Sequence, residues 1–180
     1  GTGKTGALVS LVKAGYKLGI LDTDNGLDSL KAWGKQEKVD LNLVDYNTVR
    51  DNYVVTPQGA ILDPATKTKG FIESMKLMKN WTDGTHPEEW GEDKIFVLDS
   101  MTGLGNQAYE FAKGLNPSSK DPRQWYGAAQ EAIESFCAAI TSDDFKTNVI
   151  VISHIKKIED ADSTRKGWPA FPGKDVGDLI

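Results

Sequence analysis

The glycine-rich segment GTGKTG, at residues 1–6, limits the fold more than any other feature of the chain. It matches the G-x-G-x-x-G turn of dinucleotide-binding folds, and it also matches the end of the G-x-x-x-x-G-K-[ST] loop that holds a nucleoside triphosphate. Each signature joins a β-strand to the helix that follows, so each predicts an α/β fold with a mostly parallel sheet. Because no strand pattern precedes the glycines, we expect the first strand to be missing and the sequence to be truncated at both ends.

Strand and helix patterns alternate along the rest of the chain, which predicts a single α/β domain over residues 1–180. The last predicted helix begins with a capping aspartate followed by proline. The predicted helices cover residues 7–12, 25–33, 71–78 and 121–140, and a hairpin is predicted over 52–63. The predicted strands are LGILDTD (18–24), VDLNLVDYN (39–47), and two that are apolar enough to be buried, IFVL (95–98) and NVIVISH (148–154).

The composition is that of an ordinary globular protein, with 39% hydrophobic and 26% charged residues. No apolar run approaches the roughly 20 residues that a membrane span needs. The single cysteine excludes an internal disulfide and predicts a reducing compartment, the cytoplasm. Since the net charge is −5, any contact with nucleic acid requires a local basic patch.

Two residues inside the glycine-rich segment favour the triphosphate interpretation. Dinucleotide folds usually bury apolar residues where this chain has Lys4 and Thr5, although Asp22 and Asp24 fit the acid that those folds place about 20 residues further on. In a triphosphate loop, Lys4 would reach the β- and γ-phosphates and Thr5 would bind Mg²⁺, while backbone N–H groups surround the phosphate oxygens. The predicted ATP-binding residues are Gly1, Thr2, Gly3, Lys4, Thr5 and Gly6.

A carboxylate at the end of a buried strand completes the predicted metal site. Asp99 directly follows the apolar run IFVL, and a carboxylate at that position can fix Mg²⁺ through its water shell. Asp99 could instead cap the turn that follows the strand. The combination with the GKT sequence favours Mg²⁺ binding by Thr5 and Asp99, and hence a P-loop.

Three further segments resemble those of RecA-type ATPases. LDTDNGLD (21–28) is similar to the family's segment with the catalytic glutamate, LDSMTGL (98–104) resembles its Walker B strand, and ISH (152–154) ends where the family has a polar phosphate sensor. The combination resembles compact RecA-like ATPases of bacteriophages, including single-strand DNA recombination proteins of the Sak group. The resemblance implies ATP hydrolysis with Mg²⁺, catalysed by Asp24, Lys4 and His154. It also implies the host cytoplasm as the location if the protein is from a phage, and it allows a homo-oligomer.

The sequence departs from this family at the catalytic acid. Asp24 stands in the glutamate's place and is one methylene shorter, so it could instead cap the helix that follows. Ser100 occupies the position after Asp99 where many motor ATPases carry a glutamate. His154 could be a hydrogen-bonded residue at a strand end rather than a sensor, and Asp22 is expected to be a turn residue. In P-loop folds the missing strand is central, so the strands ending at Asp99 and His154 are expected to face each other across a gap.

DNA contacts are expected in two loops that the resemblance places at residues 103–120 and 156–174. From Lys146 to Lys174 there are six basic and three acidic residues, a surplus of three positive charges in an acidic chain. Aromatic rings in the second loop could stack on unpaired bases. The residues expected to bind single-stranded DNA are Lys156, Lys157, Arg165, Lys166 and Trp168, with Phe171 as a further aromatic.

Two other function classes remain open from the sequence. One is a P-loop phosphotransferase that acts on a small substrate, although the chain lacks an arginine-rich lid. The other is a nucleotide-binding module that no longer hydrolyses ATP, which the shorter acid at position 24 allows.

Overall fold

The computed structural model describes residues 3–63, 68–159 and 165–169. These residues form an α/β fold whose sheet is flanked by helices on both faces. The helices are α1 (Lys4–Ala7), α2 (Val9–Lys13), α3 (Asp28–Gln36), α4 (Gly70–Lys79), α5 (Met101–Leu115) and α6 (Pro122–Ile140). The strands are β1 (Lys17–Asp22), β2 (Val44–Thr48), β3 (Tyr53–Thr56), β4 (Gly59–Leu62), β5 (Lys94–Asp99), β6 (Val149–Ile152), β7 (Ile155–Glu159) and β8 (Arg165–Pro169).

The main sheet has four parallel strands in the order β2-β1-β5-β6. Its register places Asp22 beside Asp99, and Asp99 beside Ile152, so the carboxyl ends of three strands lie together. The residues that follow these ends therefore meet at one edge of the sheet. This confirms the predicted α/β class with a parallel sheet, an architecture compatible with both Rossmann-like and P-loop folds.

The expected gap between the strands ending at Asp99 and His154 is wrong. β5 and β6 are direct neighbours, paired from Phe96↔Val149 to Asp99↔Ile152. Pairing satisfies the backbone groups that a gap would leave unbonded, and Phe96 N donates to Asn148 O at 2.9 Å. The predicted burial of the strand NVIVISH is also too high. β6 lies at the edge of this sheet, and Ile152 is its only buried residue.

Alternate residues of the central strands supply two separate cores. On one face, Ile95 and Val97 of β5 pack with residues of α2 and α3. On the other face, Phe96 and Leu98 pack with α4, α5 and α6, as expected for a strand buried on both faces. Trp90 also covers this second face, where it lies over Gly19 of β1.

Of the remaining predictions of secondary structure, two are confirmed and two are not. The hairpin is confirmed as β3 and β4, and Asp121 caps α6 by accepting a hydrogen bond from Arg123 N at 3.0 Å. The predicted strand over 39–47 begins only at Val44, after a short 3₁₀ turn. The loop predicted at 103–120 is wrong, because α5 occupies most of it with Leu104, Ala108 and Ala112 buried against the core. DNA contact by this segment stays a prediction.

Two further features bear on the chain's surroundings. In the part of the chain that the structure describes, no helix is both long and apolar enough to cross a bilayer. The single cysteine, Cys137, is buried in α6, and this burial raises the pKa of its thiol, as does the nearby charge of Glu134.

Candidate functional site

The first connection at the carboxyl edge of the sheet joins the glycine-rich segment to the Walker B-like strand. Thr5 Oγ1 in α1 donates a hydrogen bond of 2.6 Å to Asp99 Oδ2 at the end of β5. Asp99 is 3% exposed, so this bond brings a hydroxyl to an almost buried carboxylate. The two residues predicted to hold Mg²⁺ are therefore neighbours in the folded chain.

The environment of Asp99 disfavours its charge. Desolvation by burial raises the pKa of Asp99 above the ordinary value, and the charges of Asp22 and Asp24 act in the same direction. The hydrogen bond from Thr5 and the proximity of His154 act in the opposite direction. A buried carboxylate with a raised pKa is one that a cation would stabilise.

These two side chains have the chemistry of a Mg²⁺ site that relies on a phosphate ligand. Mg²⁺ prefers oxygen ligands and is usually held by one or two carboxylates together with water and substrate phosphates. In the described residues, no group of three or more His, Cys, Asp or Glu side chains could hold a metal ion by itself. Thr5 and Asp99 fit Mg²⁺ that arrives with a nucleotide, rather than a closed protein cage.

The glycine-rich segment is described from Gly3 onward, so the predicted roles of Gly1 and Thr2 lie outside the described residues. Gly3 has a φ of 71° and precedes α1, and Ala7 N donates to its carbonyl at 2.9 Å. Lys4 and Thr5 begin the helix and are half-buried. Gly6 is buried because its α-carbon faces Trp33 of α3, where a β-carbon would lie 3.3 Å from the indole ring. Gly6 thus sits at a helix–helix contact.

Asp22 organises the turn that follows β1, as the sequence predicts. Its Oδ1 accepts hydrogen bonds from Asp24 N at 3.2 Å and Gly26 N at 3.3 Å, and its Oδ2 accepts one from Thr48 Oγ1 at 2.9 Å. The carboxylate that holds this turn is therefore Asp22. Since Leu27 is the cap residue of α3 and no side chain caps that helix, the capping alternative for Asp24 is wrong.

Asp24 lies between a serine and a histidine. Its Oδ2 accepts a hydrogen bond of 2.6 Å from Ser100 Oγ and lies 3.0 Å from His154 Nε2. The side chain of Asp24 is 25% exposed and that of His154 is 58% exposed, so both reach solvent. The structure thus brings together two residues that the sequence named as catalytic for separate reasons.

Ser100, Thr23 and Gly103 are parts of this site that the sequence analysis missed. Thr23 Oγ1 accepts a hydrogen bond from Ser100 N at 2.9 Å and donates one to Ser100 O at 2.8 Å. Gly103 lies in the first turn of α5 against these residues, and a β-carbon there would collide with Thr23 Oγ1. Their partners lie far away in sequence, so no local pattern indicated them.

The junction between β6 and β7 is tied to the start of α5. Thr102 Oγ1 accepts a hydrogen bond from His154 N at 3.0 Å and lies 3.3 Å from Ser153 Oγ. This bond fixes the backbone of His154 at the strand end, while its imidazole extends toward Asp24. The interpretation of His154 as a hydrogen-bonded residue at a strand end is confirmed, and its role as a phosphate sensor stays a prediction.

The segment expected to bind DNA contains a two-stranded hairpin, not the expected loop. β7 and β8 pair antiparallel, with Lys156 opposite Trp168, Lys157 opposite Gly167, and Ile158 opposite Lys166. Arg165 begins β8. β7 starts directly after His154, so the basic segment is continuous with the site. The predicted contribution of Phe171 lies outside the described residues.

Comparison of the chain with protein-family models gave no match, and neither did its comparison with curated proteins or with solved structures.

Proposed function

We propose that this chain binds and hydrolyses ATP with Mg²⁺, as a RecA-like protein that acts on single-stranded DNA in recombination or repair. The observation that carries the proposal is the 2.6 Å hydrogen bond between Thr5 and Asp99, 94 positions apart. It joins the residue after the P-loop lysine to the acid of a Walker B-like strand. Few functions other than phosphate chemistry need these two groups together.

The chain's own residues supply the parts of a hydrolysis site. Lys4 is positioned one residue before Thr5 and would bind the β- and γ-phosphates as a point charge. Thr5 and Asp99 would hold Mg²⁺, which when bound neutralises charge on those phosphates. Asp24 would orient the attacking water and accept its proton, and His154 beside it would face the γ-phosphate. The products are ADP and inorganic phosphate.

The proposed DNA contact rests on the position of the basic hairpin. His154, which contacts Asp24, directly precedes β7 in the chain. A nucleotide that displaces His154 would therefore act on the segment that carries Lys156 and Lys157. This continuity supports a nucleotide-dependent interaction with an anionic strand.

Phosphate release tests the proposal most directly. We expect the purified protein to release phosphate from ATP only with Mg²⁺, and faster when single-stranded DNA is present. The variant Asp99→Asn is the matched negative control, since it keeps the size of the side chain and removes its charge. Transfer of the γ-phosphate to a metabolite would support a phosphotransferase instead, and tight ATP binding without turnover would support a binding module.

The DNA contact has a test of its own. Reversing two charges with Lys156→Glu and Lys157→Glu should weaken binding to single-stranded oligonucleotides and reduce its salt dependence. Lys13 is a suitable control because it lies in α2, is exposed and is paired with Glu37. If Lys13→Glu weakens DNA binding as much as the hairpin variants do, the effect is one of net charge and the assigned contact is wrong.

A further inference from the structure

The hydrogen-bond direction at Ser100 is fixed by its two partners. Ser100 Oγ accepts a hydrogen bond from the backbone N–H of Gly103 at 3.1 Å. A backbone N–H can only donate, so the hydroxyl proton of Ser100 remains available for an acceptor. That acceptor is Asp24 Oδ2, at 2.6 Å. The distance is that of a charge-assisted bond between a hydroxyl and a carboxylate.

The backbone of Ser100 is held independently of its hydroxyl. Thr23 Oγ1 bonds both the N–H and the carbonyl of Ser100, which connects the ends of β1 and β5. Ser100 itself is completely buried. The position and orientation of its hydroxyl are therefore fixed, which is what a group that orients another side chain requires.

Gly103 restricts the position of Oδ1, the other carboxylate oxygen of Asp24. A β-carbon at Gly103 would lie 2.6 Å from Asp24 Oδ1, which means that this oxygen lies against the first turn of α5. One carboxylate oxygen is thus held by Ser100, and the other has little room to rotate toward the helix. Oδ2 also lies 3.0 Å from His154 Nε2, and a quarter of the Asp24 side chain is exposed to solvent.

We propose that Ser100 is a positioning residue for the carboxylate of Asp24, through the hydrogen bond that its hydroxyl donates. The proposal rests on the proposed ATPase function, in which Asp24 orients the attacking water. It assigns a specific role to the serine that stands where many motor ATPases have a glutamate. In this chain the acid comes from the neighbouring strand, and the residue after Asp99 holds that acid in place.

The kinetic consequence is a loss of turnover without a loss of binding. Ser100→Ala keeps the backbone bonds to Thr23 but removes the hydroxyl that donates to Asp24, so that the carboxylate keeps only its contact with His154 among the contacts described above. We expect kcat for ATP hydrolysis to fall by roughly ten- to a hundredfold, the range typical of residues that orient a functional side chain. The KM for ATP should stay within about twofold, because the Ser100 hydroxyl bonds Asp24 and Gly103, to which no phosphate contact is assigned.

A double-mutant cycle separates positioning from a merely structural role. If Ser100 acts through Asp24, Ser100→Ala should have no further effect on kcat in the Asp24→Asn background. A loss of kcat that is equally large in both backgrounds would overturn the proposal. Asp121→Ala is the matched control, because it removes the N-cap acceptor of α6 instead of α5 and should lower the melting temperature without changing kcat.

A second measurement does not depend on turnover. The ¹³C resonance of the Asp24 carboxyl group should shift in Ser100→Ala and stay unchanged in Asp121→Ala. If the parent protein does not hydrolyse ATP, the proposed function is wrong, but this shift still decides whether Ser100 holds Asp24. If Ser100→Ala does not fold, Ser100→Cys replaces it: its thiol is a weaker donor of similar size, so a smaller shift and a smaller loss of kcat are expected. An Asp24 resonance unmoved by the variant that folds would overturn the proposal.

Discussion

His154 Nε2 and Asp24 Oδ2 lie 3.0 Å apart at the carboxyl edge of the sheet, although they follow different strands, β6 and β1. β5, which ends at Asp99 and is followed by Ser100, lies between those two strands. The side chains therefore bridge over the central strand, directly beside the residues predicted to hold Mg²⁺. Because Asp24 lies at the centre of this arrangement, substitutions at Asp24 are the most informative test of how the site works.

Substitutions at Asp24 should change hydrolysis far more than ATP binding. Asp24→Asn should lower kcat by a factor on the order of 10²–10⁴, as removal of a general base does. Asp24→Glu introduces the glutamate that RecA-type ATPases, which the sequence resembles, carry at this position. It should keep or raise the rate, because the longer side chain reaches further toward the water. Steady-state phosphate release and calorimetric ATP titration measure the two quantities. Undiminished hydrolysis in Asp24→Asn would remove Asp24 from the mechanism.

Lys4→Ala should abolish tight ATP binding, since the phosphates then lose the only cation of the loop sequence. Isothermal titration with ATP and Mg²⁺ gives the affinity directly. Lys13→Ala is the matched control, because Lys13 lies in the neighbouring short helix but is exposed and pairs with Glu37 at 3.0 Å. The P-loop assignment is wrong if Lys4→Ala binds ATP within about threefold of the parent protein.

Asp99→Asn should stabilise the nucleotide-free protein at neutral pH while removing Mg²⁺-dependent turnover. The pKa of Asp99 is raised in the folded state, chiefly by desolvation, so the folded protein binds this proton more tightly than the unfolded chain does. The stability of the parent protein should therefore fall as the pH rises from the ordinary value of 3.8 through the raised pKa, and then level off. The neutral amide that Asp99→Asn introduces avoids the buried charge.

The expected increase in melting temperature for Asp99→Asn is about 2 °C at pH 7. The difference should narrow as the pH is lowered to the ordinary value of 3.8, because Asp99 of the parent protein is protonated below its raised pKa. Thermal unfolding at both pH values, without nucleotide, measures it. A lower melting temperature for Asp99→Asn at pH 7 would mean that the charge of Asp99 is already compensated within the protein.

A pair of glycine substitutions tests the packing of the sheet. A β-carbon at Gly19 would collide with the ring of Trp90, so Gly19→Ala should cost about 1–3 kcal/mol through overpacking. Gly127 lies in α6, is exposed, and has nothing within 4 Å of the same position. Gly127→Ala should therefore stabilise the protein by about 0.5–1 kcal/mol. Denaturant unfolding of both variants would show opposite signs, and equal signs would contradict the packing described for Trp90.

Local patterns predicted those parts of the fold that depend on neighbouring residues. The apolar run before Asp99 predicted β5 and its burial, and Asp121 followed by Pro122 predicted where α6 begins. The helix α5 could also have been predicted, because Leu104, Ala108 and Ala112 recur every four residues. The family resemblance predicts a loop there instead, which conflicts with the periodicity of the segment itself.

Contacts between distant residues could not be predicted in the same way. The pairing of β5 with β6 depends on strand order, which two similar apolar runs do not specify. Likewise, nothing near Ser100 in the sequence indicates that its hydroxyl meets Asp24, because that contact arises only when β1 and β5 lie side by side. The sequence predicts Asp24 and His154 as separate site residues, but their contact arises only from the order in which the strands pair in the sheet.

Because Cys137 is buried in α6, the reactivity of its thiol can report how often this helix opens away from the core. The raised pKa of this thiol keeps it protonated, and its position in α6 against the core keeps reagents away. A thiol-specific label should therefore react only when α6 separates from the core, at a rate that rises with the frequency of this opening. Because a ligand that binds only the folded state makes such opening rarer, ATP binding should slow the labelling of Cys137 even where no phosphate is released.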